Sequence, residues 1–454
     1  MSQNSQVYFA AILFLLTYAI IVSEKIHRTI ISLVAASIIG LTRILSAEEA
    51  IGAIDFNTIG LLVGMMVIVG ITRQTGLFEY LAIKAAKQAN GEPLNILVAL
   101  ALVTAVLSAL LDNVTTVLLI VPVTFAITKK LGVNTIPYLI VEIIASNIGG
   151  TATLVGDPPN IMIGTATNLG FMDFVINLTP VVMIVYIFTV FFLRIYYKNQ
   201  LSTSSTQQKN ILSLNEKDEI KDTALMKKCL IVLLLTMIGF ALHQYVHIES
   251  SIIAISGASL LMLLSREDPE HVLHSVEWTV IFFFIGLFVL VGALEHLGII
   301  EVLAKYTLNV TGGEVLASGV AILWLAAIAS SFVDNIPFVA TMIPLIQEMG
   351  RLGNIENLNF LWWSLSLGAC LGGNGTIIGS SANVVVIGLA EKRGNDISFW
   401  GFMKIAFPLM LMSIVISTVY LWAWYKFYSY IFLLGVLIIA AVIYLLLKFL
   451  SGKI

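Results

Sequence analysis

Two aspartate–asparagine pairs, Asp112-Asn113 and Asp334-Asn335, each end a long apolar run and stand at matching places in the two halves of the chain. A glycine-rich stretch follows each: GGTATLVGDPPN at 149–160 and GGNGTIIGSSAN at 372–383. Aspartate brings charge and asparagine and threonine bring neutral oxygens. Glycine lets a backbone carbonyl approach a ligand with no side chain in the way. Such oxygen ligands suit a hard cation such as Na⁺. The candidate ion- or substrate-binding residues are Asp112, Asn113, Thr115, Gly150, Thr151, Thr153, Asp157, Asn160, Asp334, Asn335, Asn374, Thr376, Ser380, Ser381 and Asn383. Asp157 and Glu142 have no acidic counterpart, since Ser380 and Leu365 stand at the matching positions. An unpaired acid inside a membrane segment marks a functional position, and burial favours the protonated form of a carboxyl. Both are candidates for proton coupling.

Each residue also has a plainer use. Asp112 and Asp334 suit the N-cap of the helix that follows them. Asp157 suits a turn before Pro158-Pro159, Glu142 suits a partner for a basic or hydroxyl group, and some break hydroxyls and amides suit helix ends.

These residues sit in a chain of 454 residues that is 59% hydrophobic and 11% charged, where soluble domains carry roughly 25% charged residues. Many windows of about 20 residues are nearly all apolar, each long enough to cross a bilayer. The chain therefore reads as an all-α polytopic membrane protein. The first span begins near residue 7, because MSQNSQVYFAAILFLL lacks the basic region of a cleaved signal peptide. No basic patch with interleaved aromatics points to nucleic acid. Two cysteines, Cys229 and Cys370, make neither a disulfide framework nor a zinc spacing. The six histidines show no ligand spacing with a carboxylate, so no metal site and no cofactor beyond a coupling ion, Na⁺ or H⁺, is expected. No P-loop, HExxH or GxSxG with a convincing histidine argues for an enzyme.

The chain repeats itself. Gly64, Gly70 and Gly76 match Gly286, Gly292 and Gly298 at one offset of 222, which also carries Asp112-Asn113 onto Asp334-Asn335 and Pro122 onto Pro344. The two breaks match at an offset of 223 with five of twelve positions identical. The expected organisation is a first repeat at 1–197, a polar cytoplasmic linker at 198–228, a second repeat at 229–427, and an extra C-terminal transmembrane helix in 428–454. Each repeat contains three spans, two apolar arms flanking the Asp-Asn pair, a discontinuous helix around the break, and a closing span. The second arm reads as short, 114–128 in the first repeat. The arms therefore read as re-entrant hairpins, 94–130 and 315–350, rather than two tilted crossings. Five crossings per repeat, an odd number, make the repeats inverted, for about 11 transmembrane helices in all. With the N-terminus outside, 20 of the 24 basic residues fall on the cytoplasmic side, as the positive-inside rule requires. The linker and C-terminus are then cytoplasmic and the plasma membrane is the expected location.

Three segments carry a family resemblance: LDNVTTVLLIVPVTFAI, NIGGTATLVGDPPNIMIG and CLGGNGTIIGSSANVVVIGLAEKRGNDISFWGFMKIAFP. They resemble the ArsB/NhaD branch of the ion transporter superfamily, most of all its permeases related to the P protein. The resemblance implies two inverted repeats with paired hairpins, and a homodimer as a partner state. Related sodium-coupled dicarboxylate carriers have Ser-Asn-Thr at their hairpin tips, where this chain has Asp112-Asn113-Val114-Thr115 and Asp334-Asn335-Ile336-Pro337. The function expected is a secondary active transporter in the lipid bilayer, coupled to H⁺ or Na⁺. Its leading substrate is arsenite, antimonite or another small inorganic ion moved by antiport. Na⁺/H⁺ antiport and sodium-coupled carboxylate transport are the alternatives, and a passive anion channel is the alternative of another class.

Overall fold

The computed structural model describes residues 3–23 and 25–450, with the backbone alone described for most of the stretch after 428. The described chain is built of helices, nine of them long and apolar enough to cross a membrane. The first half runs through Gln3–Ser23, Arg28–Leu41 and Phe56–Gln74 to a hairpin of Pro93–Leu110 and Asn113–Leu131. The broken pair Ile136–Gly150 and Pro158–Thr165 and the long Phe171–Tyr197 follow. The second half repeats the order with Thr223–Val246, Ser250–Ser265 and Trp278–His296. Its hairpin is Val315–Phe332 and Asn335–Gly353, its broken pair Asn359–Gly372 and Ser381–Glu391. Phe399–Leu450 closes the chain, with one non-helical residue, Phe427, where the extra C-terminal segment begins. Each hairpin returns to the side it entered from, so each half crosses five times and the repeats are inverted.

The second hairpin arm is longer than the sequence predicts: it runs over 19 residues, Asn113–Leu131. Length therefore does not distinguish this hairpin from two crossings; its buried tip does. Asp112 and Asn113 are 7% and 2% exposed, and the tip touches the break of the other half. Two helices escape the sequence reading, Leu77–Gln88 and Ile299–Thr311, each between a third crossing and a hairpin. Each starts at a left-handed glycine, Gly76 (φ 79°) and Gly298 (φ 74°), a conformation that glycine adopts without steric cost. The polar linker also has structure of its own. Its helix Ser205–Leu212 buries Ile211, Thr203 Oγ1 donates to the Leu131 carbonyl at 2.6 Å, and Lys87 pairs with Glu216 at 2.5 Å.

Helices pair by close approach of small residues, in symmetric sets. A Cβ on Gly64 would stand 2.5 Å from the Ala254 backbone, and one on Gly286 would stand 2.6 Å from that of Ser32. These contacts join third crossings to the second helices of the opposite half and build a shared frame. Within each half, Gly149 lies against Ala105 and Gly372 against Ala327, locking the broken helix onto the first hairpin arm. Large apolar side chains such as Phe188, Phe191, Ile195 and Leu234 face outward where lipid would lie.

A Cβ at Gly149 would sit 2.1 Å from the Ala105 carbonyl oxygen. Gly149→Ala is expected to lower stability by about 1–3 kcal/mol through overpacking. Gly388→Ala, inside a helix and with nothing within 4 Å of the new methyl, is expected to raise stability by about 0.5–1 kcal/mol. Size-exclusion chromatography after graded heating of the detergent-solubilised protein measures both; equal midpoints for Gly149→Ala and wild type would refute the close approach.

Candidate ion-binding site

A helix that stops inside a membrane leaves carbonyls without donors. Two asparagines answer this, one per half. Asn160 Nδ2 donates to the carbonyls of Thr153 at 2.8 Å and Thr151 at 3.1 Å, with a longer contact to Gly150 at 3.5 Å. Asn383 Nδ2 donates to Gly373 at 2.7 Å and Thr376 at 2.9 Å. Two threonines fasten the same loops to the hairpins: Thr153 Oγ1 donates to the Ala109 carbonyl at 2.5 Å, and Thr376 donates to that of Ser331. Thr151 bonds back to the Asn147 carbonyl at 2.7 Å. At Gly150 a Cβ would meet Gly156 at 2.5 Å. The side chains of Thr151, Thr153, Asn160, Thr376 and Asn383 thus hold the breaks in shape.

The remaining candidates meet across the two halves. Asn113, at the first hairpin tip, reaches Ser380 of the second break at 3.4 Å, and Asn335, at the second tip, reaches Asp157 of the first break at 3.2 Å. These two contacts are mates under the repeat. Asn147 ties the first cluster together: its carboxamide accepts from Asn113 at 3.0 Å and Ser380 at 3.1 Å, and donates to Asn374 at 3.0 Å and Asn383 at 2.9 Å. At the matching position in the second half, Cys370 lies 3.6 Å from Asn160 and beside Asp157. Both cysteines are free and buried.

Asp112 and Asp334 both cap the second arms. Asp112 accepts from the Thr115 backbone at 2.8 Å and its hydroxyl at 2.5 Å, and Asp334 accepts from Ile336 N at 3.0 Å. Asp157 is wholly buried, and its Oδ2 has no hydrogen-bond partner; Asn113 Oδ1 and Asn374 Nδ2 share that condition. A buried acceptor without a donor is costly, and a proton or a cation answers it. Asp157 lies in electrostatic contact with both Asp112 and Asp334. Glu142 stands apart, facing the first hairpin, where it accepts from Thr124 at 2.5 Å while its Oε2 has no partner. Among the described residues no three His, Cys, Asp or Glu side chains gather as a metal set.

A vestibule of about 380 Å³ leads to the second tip. Arg28, Glu277, Asp334 and Ser381 supply polar groups to it, and Val280, Phe332, Ile378 and Val384 are among its apolar walls. Arg28 pairs with Asp334, and Ser381 donates to the same carboxylate at 2.8 Å. Glu277, just before its helix, is half-buried; burial pushes its carboxyl up to about 7, Asp112 adding to the rise and Arg28 opposing it. Sequence reasoning missed Arg28, Asn147 and Glu277 as site residues. Asn147 carried a signal, an amide within an apolar helix two residues before the break. Arg28 and Glu277 carried none, since each sits at a span end where charge is ordinary.

A family model described as the citrate transporter family, CitMHS, matches residues 18–368. The chain is 42% identical over 421 residues to the 46 kDa membrane protein of Mycobacterium leprae, covering 92% of this chain and 98% of that protein. It is 34% identical over 508 residues to the P protein of Homo sapiens, covering 92% of this chain and 60% of that protein. Among solved structures it resembles the YdaH transporter of Alcanivorax borkumensis, described as having an unusual topology, with a TM-score of 0.59 at 12% identity over 93% of this chain and 98% of that one. It also resembles MtrF of Neisseria gonorrhoeae, of a class described as antimetabolite efflux pumps, with a TM-score of 0.57 at 13% identity over 86% and 84%. At those identities the two structures share the fold alone.

Asn147→Ala removes four buried hydrogen bonds and orphans their partners. It is expected to destabilise by about 2–4 kcal/mol, more than Thr341→Ala, a hydroxyl that is only partly buried. The heating assay above reads both, and equal effects would deny Asn147 its joining role.

Proposed function

The chain belongs to the citrate transporter (CitMHS) family, and we propose that it is a secondary active transporter whose coupling cation, H⁺ or Na⁺, binds at Asp157. The observation that carries this reading is the fully buried Asp157 carboxylate with one oxygen left without a donor. Asn335, from the opposite repeat, orients its other oxygen, and the unpartnered Oδ1 of Asn113 is the neutral ligand from the repeat of Asp157 itself. Asp112 adds negative charge that draws a cation inward, while the charge of Asp334 is offset by Arg28. Asn335, Asn374, Ser380 and Ser381 complete the polar surroundings. With the N-terminus outside, the vestibule opens toward the cytoplasm.

For the transported solute, a carboxylate such as citrate has two supports, the family's description and a guanidinium at the vestibule. Na⁺/H⁺ exchange needs only the Asp157 site. Efflux of arsenite or antimonite is supported by the resemblance to the ArsB/NhaD branch. Because arsenite is uncharged at neutral pH, it would draw little from Arg28. A homodimer in the plasma membrane is the proposed assembly.

Everted membrane vesicles with an acid interior, reported by a dye, test the reading. Na⁺, citrate and arsenite are added in turn. Where H⁺ is a coupled ion, one of them is expected to change the gradient through the wild-type chain, and Asp157→Asn is expected to abolish that response. Discharge by Na⁺ alone means cation exchange, discharge by arsenite means exchange for protons, and further acidification by citrate means proton–carboxylate symport. A wild-type rate in Asp157→Asn would remove the coupling role. Glu142→Gln is expected to shift the pH profile of transport. An unchanged profile would leave Glu142 as a partner for Thr124 and no more.

A further inference from the structure

Arg28 begins the second helix of the first half and stands at the vestibule wall. Its Nη1 donates to Asp334 and, at 2.6 Å, to Ser381. Its other two guanidinium nitrogens make no hydrogen bond to the described residues, and its side chain keeps 22% exposure. The guanidinium carbon lies 5.0 Å from the centre of the Phe283 ring, which holds the group in place without using a donor. Arginine meets a free carboxylate by two parallel N–H bonds. Here Asp334 takes one. Its Oδ1 is committed to the backbone of Ile336 as the helix cap, so only Oδ2 faces Arg28. The ion pair is half-made, and the open side of the fork adjoins a cavity with apolar walls.

We propose that Arg28 is the receptor for an oxyanion group of the transported solute, and that Asp334 occupies it as an internal substitute until the solute arrives. The inference rests on the transporter reading but not on which cation is coupled. A carboxylate that takes the fork of Arg28 leaves Asp334 without its counter-charge. The residue next to Asp334, Asn335, donates to Asp157 at 3.2 Å, so the released charge of Asp334 lies close enough to strengthen cation binding there. Anion and cation then favour one another's binding by the same factor, whichever enters first. The hydrocarbon part of the solute would lie on Val280, Phe332 and Val384. A small organic carboxylate fits this division better than an inorganic ion with no apolar part.

Competition gives a test with a definite sign. Citrate, succinate and acetate are titrated calorimetrically onto the full-length protein in detergent, at fixed pH with choline replacing Na⁺. Choline removes Na⁺ and the fixed pH holds protonation of the cation site constant, so differences among the Arg28 and Asp334 variants report the anion site. Wild type is expected to bind at least one of the three, and Arg28→Gln to lose that binding by at least about tenfold. Arg28→Lys, which keeps the charge but not the fork, is expected to fall between them. Asp334→Asn removes the internal competitor and is expected to bind the carboxylate at least about tenfold tighter, although transport is lost. Asp334→Ser, which also retains a capping side chain, provides the same reading should the first variant fold poorly. If no carboxylate binds wild type, or if both Asp334 variants are folded and bind no tighter, Arg28–Asp334 is a fixed strut and the proposal falls.

Discussion

A peptide carbonyl cannot be left without a donor inside a bilayer, and this chain interrupts a helix there twice. The rest of the centre follows from how those interruptions are satisfied. Asn160 and Asn383 donate to the loop carbonyls, and Thr153 and Thr376 pin the loops to the hairpins. Such bonds need the hairpin arm to lie against the broken helix, which is possible only where Gly149 and Gly372 leave room for the backbones of Ala105 and Ala327. Once those contacts are made, the loop ends of both repeats face one another. Polar groups that the staples do not use are then gathered in one place, out of reach of lipid.

The two repeats build one frame and fill it with different chemistry. In one subsite, Asn113 and Ser380 are bridged by Asn147, whose carboxamide makes four bonds and leaves itself no capacity to spare. In the mate of that subsite, Asn335 faces Asp157, and Cys370 stands where Asn147 would. A thiol bonds weakly, so the carboxylate keeps an oxygen without a partner. Asn147 is saturated, and the orphans around it, Asn113 Oδ1 and Asn374 Nδ2, are neutral; the orphan in the mate subsite belongs to a carboxyl, which is costlier to leave open. Symmetry pairs the two places, and the departure from symmetry puts the carboxyl with an unpartnered oxygen in one of them.

The sequence made the frame legible because the frame is written in glycines and in matched offsets. Gly64, Gly149, Gly286 and Gly372 are all positions where a second backbone comes close, and the repeat shows each of them twice. Hairpin limits fell within a few residues of 93–131 and 315–353. The roles inside the site were less readable. Asn160 and Asp157 are three residues apart and both polar, yet one holds its own loop while the other meets the opposite repeat through Asn335 and keeps one oxygen unpartnered; only the folded contacts separate them. Arg28 and Glu277 lay beyond sequence reasoning for a physical reason. A charge at a span end is what the interface with water permits, and nothing local says that such a charge reaches a hairpin tip 306 residues away.

The two ends of the centre are closed differently, and single-residue differences between the repeats accompany this. In the first half, Asp55 accepts from Thr58 and Thr165, both at 2.6 Å, and so ties the third crossing to the end of the broken helix. The cavity on that side, among Asn57, Thr165 and His247, does not include Asp112 in its lining. At the matching positions in the second half stand Glu277 and Gly388. Glycine offers no hydroxyl, so the corresponding tie cannot form, and on this side the vestibule runs through to Asp334. What closes the path further is the pair made by Arg28, whose counterpart at the same offset is Ser250. The side of Asp55 is thus held by two threonine hydroxyls on one carboxyl group, a clasp that offers an anion no cationic group. The side of Arg28 is held by an ion pair, which an anion can compete for directly. An inverted repeat would otherwise open equally well in both directions; unequal clasps let solute charge act on one of them.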